Sequence, residues 1–450
     1  MARVMLIMPR LPQKLGAPYL GQQYVAASLL DRGHEVRALD MAAVRWCHDD
    51  EHVAQEVERW GPDLIGMTLF TWNAARGYRL AERLRGVARM MVAGGAHPTV
   101  CAEEPLQYGF DVSVKGEGEL ALVALAEALD GRGQVASIPG VVTRAGEGRP
   151  REVIEDLDAL PLPMGSYGLY DPGWYSAGAL VVPGGMMTSR GCPARCTFCA
   201  NYVTGRAFRW RSAGNVVKEM LRLSAEHGLR HFSFWDDAFT ARRDRLDDLC
   251  AAIVAEEALR GVTWTCITPA NMVKPGDLEK MARAGCVGVN FGIESGDPTV
   301  LKIIQKGQRP TQVREAVAVA KAEGMVTIVN FMFGFPGEGV EGLGETLGLM
   351  EALSSDVDYF NNRGVLIPFP GTSIYDEWKG VYGFERWWLE PGRIVDEPDL
   401  SSMDGASAMA ALEHDPTLDQ DFFKYSDEVR ERIEDCVRFK ARHNARARGV

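Results

Sequence analysis

No stretch of eighteen apolar residues occurs in the 450-residue sequence, so it has no segment of the kind that crosses a bilayer as a helix. The N-terminus, MARVMLIMPRLPQ, lacks the long apolar run and the small-residue cleavage site of a secretory signal. It reads instead as a first strand ending at Pro9. Basic charge is in deficit: 49 Lys and Arg stand against 61 Asp and Glu, a net charge of −12, which argues against a nucleic-acid partner. An acidic surface of this kind solubilises, and it also suits a cationic small-molecule substrate. The motif G-x-G-x-x-G is missing after the first strand, which disfavours a dinucleotide site. The nine cysteines are odd in number and scattered, which is not a disulfide framework and implies a reducing, cytoplasmic setting.

What is present is alternation. Strands are expected at Val4–Met8, Glu35–Leu39, Leu64–Thr68, Met90–Ala93 and Val112–Lys115, with helices at Gln22–Arg32, Asp50–Trp60, Asn73–Val87 and Leu120–Leu129 between them. This pattern predicts a Rossmann-like, doubly wound parallel sheet over residues 1–133. Residues 134–182 break the pattern. A strand-like piece at Gly140–Thr143 leads to DALPLPMGSYGLYDPGWYSAG, whose Pro- and Gly-rich turn chemistry marks a linker.

A second series predicts strands at Gly184–Ser189, Phe232–Trp235, Thr263–Ile267, Val287–Gly292, Val326–Gly334 and Tyr359–Ile367. Helices are expected at Ala213–Glu226, Arg243–Glu256, Pro275–Ala284, Thr311–Glu323 and Gly342–Ser354. The α/β series over 183–372 suits a partial (βα)6 barrel of TIM type, in which chemistry gathers at the C-terminal ends of the strands. Residues 373–450 read as a mainly helical region, with an acidic loop at 395–400 and an amphipathic helix near Asp419–Arg442.

Directly after the first barrel strand, SRGCPARCTFCAN places Cys192, Cys196 and Cys199 in C-x3-C-x2-C spacing. Cysteine thiolates are the usual ligands of iron–sulfur clusters, and three on one short loop can hold three irons of a cubane, leaving the fourth open. A structural zinc site would need a fourth ligand nearby, and the next histidines are only at His227 and His231. Cys250, Cys266 and Cys286 sit in apolar contexts and read as core residues.

This segment resembles the radical S-adenosylmethionine (SAM) superfamily over about residues 184–372. The resemblance implies that SAM chelates the open iron of a [4Fe–4S] cluster and that one-electron reduction releases a 5′-deoxyadenosyl radical. The electron would come from a reductase or flavodoxin-type donor. It further implies that Phe198 lies by the SAM adenine and that the strand-end stretch FSFWDDAFT brings Asp236 to the cofactor. FGIESG would place Glu294 near the SAM ribose or the substrate, and NFMFGFPGE would bring Asn330 and Gly334 close to SAM. Asp236 and Asp237 could alternatively cap the helix that follows. Tyr202, three residues after the cluster motif, is a candidate proton or hydrogen-bond donor to substrate, and Glu294 is the second catalytic candidate.

The first domain, with GGAHPT and VKGEGE at its strand ends, resembles the cobalamin-binding domain of B12-dependent radical SAM enzymes. Thr68, Gly94, Gly95, His97 and Gly116 would then frame the corrin. The D-x-H-x-x-G motif is absent, so no histidine ligand to cobalt is expected and His97 is read as shaping the turn. Three functions follow. The first is cobalamin-dependent methylation of an unactivated carbon in a small natural-product-type substrate. The second is cobalamin-independent dehydration of an aminosugar, with the first domain a packing module. The third is a non-catalytic redox sensor.

Overall fold

A computed structural model describes residues 1–175, 185–361, 364–394, 396 and 404–448. They form two compact units, the first comprising Met1–Pro183, Ala200–Gly205 and Arg386–Asp396, the second Gly184–Cys199, Arg206–Glu385 and Glu397–Val450.

The first unit runs β1 (Arg3–Met8), α1 (Leu20–Asp31), β2 (Glu35–Asp40), α2 (Asp50–Trp60), β3 (Leu64–Thr68), α3 (Ala74–Arg83), β4 (Met90–Gly94), α4 (Ala96–Val100), β5 (Val112–Val114), α5 (Gly118–Leu129), β6 (Val141–Thr143) and β7 (Gly146–Glu147). The sheet order is β2-β1-β3-β4-β5-β6-β7, parallel through β5 and antiparallel thereafter. β1 is buried along almost its whole length, as a central parallel strand covered on both faces must be. Val4, Leu6, Leu64, Val92 and Val112 pack there with Ala26, Leu29, Leu122 and Leu125 from the helices. α2 starts where Asp49 accepts the His52 N–H at 2.9 Å, with Asp50 and Glu51 in its first turn, favourable charge at a helix N-terminus. β6 and β7 fall inside the stretch read as a linker. They extend the sheet because Val141 and Val142 bury against its core.

The second unit opens with β8 (Gly185–Met186) and β9 (Ser189–Arg190), then β10 (Arg209–Trp210), α6 (Ala213–His227), β11 (His231–Phe234), α7 (Arg243–Ala255), β12 (Thr263–Pro269), α8 (Asp277–Arg283), β13 (Cys286–Glu294), α9 (Pro298–Ile303), α10 (Pro310–Ala322), β14 (Val326–Phe331), α11 (Val340–Leu353) and β15 (Tyr359–Asn361). Six parallel strands lie in the order β15-β14-β13-β12-β11-β8, the (βα)6 arrangement. Phe232, Phe234, Trp264 and Phe291 are buried on one face of these strands. The other face carries Ser233, Thr265, Asn290 and Asn330, which hydrogen-bond across strands.

The chain ends in α12 (Ser373–Tyr382), α13 (Gly405–Glu413) and α14 (Asp427–Arg448). Asn444 of α14 accepts the Phe360 N–H at 2.9 Å and donates to its carbonyl at 2.8 Å, which pairs that residue's backbone groups on the open edge of β15. The helix expected near Asp419–Arg442 starts later, because Asp421 and Lys424 take positive φ (40° and 54°) and interrupt the chain before Asp427. α9 was not anticipated, although Asp297 followed by Pro298 is a cap and first-turn pair: the Asp297 carboxylate accepts the Thr299 N–H at 2.7 Å. Gly184, and the acidic loop at 395–400 apart from Asp396, lie outside the described residues.

Candidate active site

The cysteine loop leaves β9 and returns at β10, which pairs with β9 antiparallel and closes its neck. Asp236, just past β11, holds the entry to the loop. One of its oxygens accepts the N–H groups of Thr188 (2.6 Å) and Ser189 (3.0 Å); the other accepts the Thr188 hydroxyl and pairs with Arg245 at 3.0 Å. At 1% exposure Asp236 has both oxygens engaged within the protein, where it anchors the entry to the loop. Neither it nor Asp237 caps the next helix, which begins at Arg243 after Arg242. Further along, the Thr197 N–H donates to Ile304 (3.0 Å) and the Thr197 carbonyl accepts from Ile374 (3.2 Å).

Between these anchors Cys192 and Cys196 are half-buried and Cys199 is exposed. Burial pushes the Cys192 and Cys196 thiols up, and Lys306 opposes the shift at both. Among the described residues no three His, Cys, Asp or Glu side chains converge on a single ion. The fit to a cluster therefore rests on donor chemistry: three thiols on an irregular loop, with a cation close enough to offset thiolate charge.

That cation was not anticipated. Lys306, in the loop after α9, pairs with Glu294 at 2.7 Å, and the two side chains are 8% and 10% exposed. Burial works against the ammonium charge, but Glu294, Cys196 and Cys199 outweigh it and hold Lys306 above the usual lysine range. Its ammonium lies 5.9 Å from the centre of the Phe198 ring. A Cβ at Gly292 would stand 3.0 Å from both the Glu294 carboxylate and the Lys306 ammonium, so glycine there leaves the pair its space. Glu294 itself has φ of 74°, at a register shift in β13 where its carbonyl accepts the Met332 N–H at 2.8 Å. A non-glycine residue in this conformation stores strain of the kind found at functional sites.

Asn330 donates to the Asn290 side chain and, at 3.3 Å, to the Phe291 carbonyl. Gly334 has φ of 73°, and a side chain there would strike the Tyr425 phenol, which donates to the Gly334 carbonyl at 2.9 Å. Phe335 beside it meets Phe198 edge to face, 6.0 Å between centroids. Tyr202 lies in the Ala200–Gly205 segment of the first unit, half-buried, and its carbonyl accepts from Arg151 at 2.5 Å.

In the first unit the β2-β1-β3 order places a topological switch point between β1 and β3, where open α/β sheets bind ligands. Asn73, fully buried, joins the two strand ends there by donating to the Pro9 carbonyl at 3.1 Å and the Thr68 carbonyl at 3.5 Å. Thr68 is the register partner of Gly94. The Thr99 hydroxyl ties the next two turns together, donating to the Gly95 carbonyl at 2.7 Å and accepting the Gly116 N–H at 3.0 Å.

His97 is fully buried and both ring nitrogens are engaged, with Thr71 at 3.2 Å and Glu104 at 3.1 Å. Glu104 also accepts from Tyr78 (2.8 Å), Trp388 (2.8 Å) and Arg386 (3.0 Å). Burial opposes its charge, yet the donors from His97, Trp388 and Tyr78 hold its carboxyl down at about 2. His97 is thus a fixed strut of the turn. Gly95 has φ of 103° and a Cβ would lie 2.8 Å from the Leu69 carbonyl oxygen. Gly95→Ala is expected to cost about 1–3 kcal/mol in backbone strain alone, read as a lower urea midpoint of the first unit.

Comparison with known proteins places this geometry. The B12 binding domain profile matches residues 15–126, and the Radical SAM superfamily profile matches residues 186–350. An uncharacterized methyltransferase of Pyrococcus horikoshii is 32% identical over 369 residues, 80% of this chain and 78% of that protein. The bacteriochlorophyllide d C-12(1)-methyltransferase of Chlorobaculum tepidum is 28% identical, covering 76% of this chain and 73% of its own. In fold, the chain is similar to the radical S-adenosylmethionine methyltransferase TsrM of Kitasatospora setae, solved with cobalamin and a [4Fe–4S] cluster: TM-score 0.67, 22% identity, 87% of this chain and 80% of that one. With both domains present in one chain and a relative this similar across most of its length, the protein belongs to the radical SAM superfamily, in the class that carries an N-terminal B12-binding domain.

Proposed function

We propose that this protein methylates a carbon atom of a small natural-product-type molecule, drawing on SAM, a [4Fe–4S] cluster and cobalamin. The observation that carries the reading is the pairing, in one chain, of a B12-binding match at residues 15–126 with a cysteine loop inside a radical SAM match at residues 186–350. The Pyrococcus and Chlorobaculum relatives, both named methyltransferases, support it. When bound, the cluster with SAM supplies a hydrogen-abstracting 5′-deoxyadenosyl radical, and cobalamin supplies the methyl group.

In this reading Cys192, Cys196 and Cys199 hold the cluster. Phe198, Glu294, Asn330 and Gly334 surround SAM, and Lys306 offsets the thiolate charge while Glu294 keeps it in place. Thr68, Gly94, Gly95 and Gly116 frame the flat corrin, and His97 braces the turn without ligating cobalt, since both its nitrogens are already used. Tyr202 serves the substrate as a hydrogen-bond or proton donor. The acidic surplus favours a cationic substrate, and a flavodoxin-type donor in the cytoplasm would deliver the electron.

Anaerobic turnover with SAM deuterated in its methyl group tests the proposal. Methylation is expected to move the label to the substrate and to release both S-adenosylhomocysteine and 5′-deoxyadenosine. Dehydration would give 5′-deoxyadenosine and a loss of water without S-adenosylhomocysteine. Protein that turns over fully while retaining no cobalamin would overturn the methylation reading.

A further inference from the structure

The GFPGE turn that follows β14 contains a buried carboxyl with no role in the site as described so far. Glu338 is 7% exposed. One of its oxygens accepts the N–H groups of Gly334 (2.6 Å) and Phe335 (3.2 Å), and its own N–H closes the turn on the Phe335 carbonyl at 2.9 Å. The other oxygen is buried without a hydrogen-bond partner among the described residues. A buried polar atom left unpaired is costly, so a group kept in this state has a structural or functional reason. Asp297, Tyr425 and Cys436 face it among the described residues, and none of these three is a cation. Burial pushes the carboxyl up to about 8, against the pull of the Phe335 and Gly334 N–H groups.

The turn has one consequence outside itself. It fixes Phe335, 2% exposed, whose ring meets Phe198 edge to face. Phe198 sits between Cys196 and Cys199, so the path from Glu338 to the cysteine loop is Glu338, the Gly334 and Phe335 amides, the Phe335 ring, and Phe198. Tyr425 pins the same turn from the other side through the Gly334 carbonyl.

We infer that Glu338 is a positioning residue for the radical chemistry: it holds the Gly334–Gly337 turn, and through Phe335 it keeps Phe198 and the cysteine loop in the conformation that receives the cluster and SAM. The inference rests on the radical SAM reading of the loop, which 5′-deoxyadenosine formation by the unaltered protein checks separately. A carboxamide has the shape of the neutral acid and keeps an oxygen for the two amides, so Glu338→Gln should preserve the effect and Glu338→Ala should remove it.

The first readout needs no cofactor. Hydrogen exchange of the full-length apoprotein is expected to run more than fivefold faster at the amides of residues 192–199 in Glu338→Ala, and within twofold of the unaltered rate in Glu338→Gln. On reconstituted protein the alanine variant should raise the KM for SAM at least tenfold and blunt the change in the reduced cluster's EPR signal on adding SAM, with the glutamine variant again close to unaltered. Should the alanine variant not fold, Phe335→Leu carries the same test, with the same expected rise in exchange. Unchanged exchange and KM in the alanine and leucine variants, or a glutamine variant as impaired as alanine, would overturn the inference.

Discussion

Replacing Cys196 by alanine is expected to abolish cluster-bound iron and its visible absorption, and to take 5′-deoxyadenosine formation to background, while the far-UV circular dichroism stays as it was. The loop keeps its course without this thiol. Its anchors are the Thr197 amide on Ile304, the Ile374 amide on Thr197, and the grip of Asp236 on Thr188 and Ser189, none of which uses sulfur. Two remaining thiolates leave two irons of a cubane without protein ligands, and a cluster so held is lost to chelators and oxygen. Cys47, exposed in the first unit, is the control: Cys47→Ala should leave iron content and SAM cleavage unchanged. SAM cleavage retained in the Cys196 variant would refute the ligand assignment.

Lys306→Met has the second large effect, and it separates fold from chemistry. Removing one partner of a buried ion pair strands the other charge, a loss of about 3–5 kcal/mol. Here the stranded group is Glu294, which accepts from Lys306 at 2.7 Å inside the second unit. Urea unfolding should show that loss. Adding Glu294→Gln removes the orphaned charge, and the double variant should recover most of the stability, because a buried pair replaced on both sides is often near neutral. SAM cleavage should not recover with it. The thiolates of Cys196 and Cys199 would still lack the cation that faces them, so the cluster should require a lower potential for reduction, visible in a redox titration followed by EPR. Recovery of cleavage together with stability would mean that the pair matters only to the fold.

These two variants touch residues of unequal visibility in the sequence. Cys196 is local information: three cysteines within one loop announce themselves by spacing alone. Lys306 is twelve positions from Glu294, and nothing in its neighbourhood, IIQKGQ, marks it as more than a surface lysine. A signal was present in retrospect, since Gly292 and Glu294 in one strand leave room and charge for a cation, but only the fold shows which cation fills it. Asp236 shows the converse. Its place at a strand end pointed to a cofactor or a cap, and the structure turns it inward, because Thr188, Ser189 and Arg245 converge on it from other parts of the chain.

Alternation of apolar strands with helices pointed to two α/β domains, and the C-x3-C-x2-C loop to a resemblance with the radical SAM superfamily, because each is written in residues close together along the chain. Tertiary structure alone decided the partners across long separations: Glu104 with Trp388, 284 positions apart, Glu294 with Lys306, and Phe335 against Phe198. Burial makes those pairings obligatory, since a carboxylate or an indole N–H removed from water must find its complement wherever the fold brings one, and spacing in sequence carries no record of that encounter.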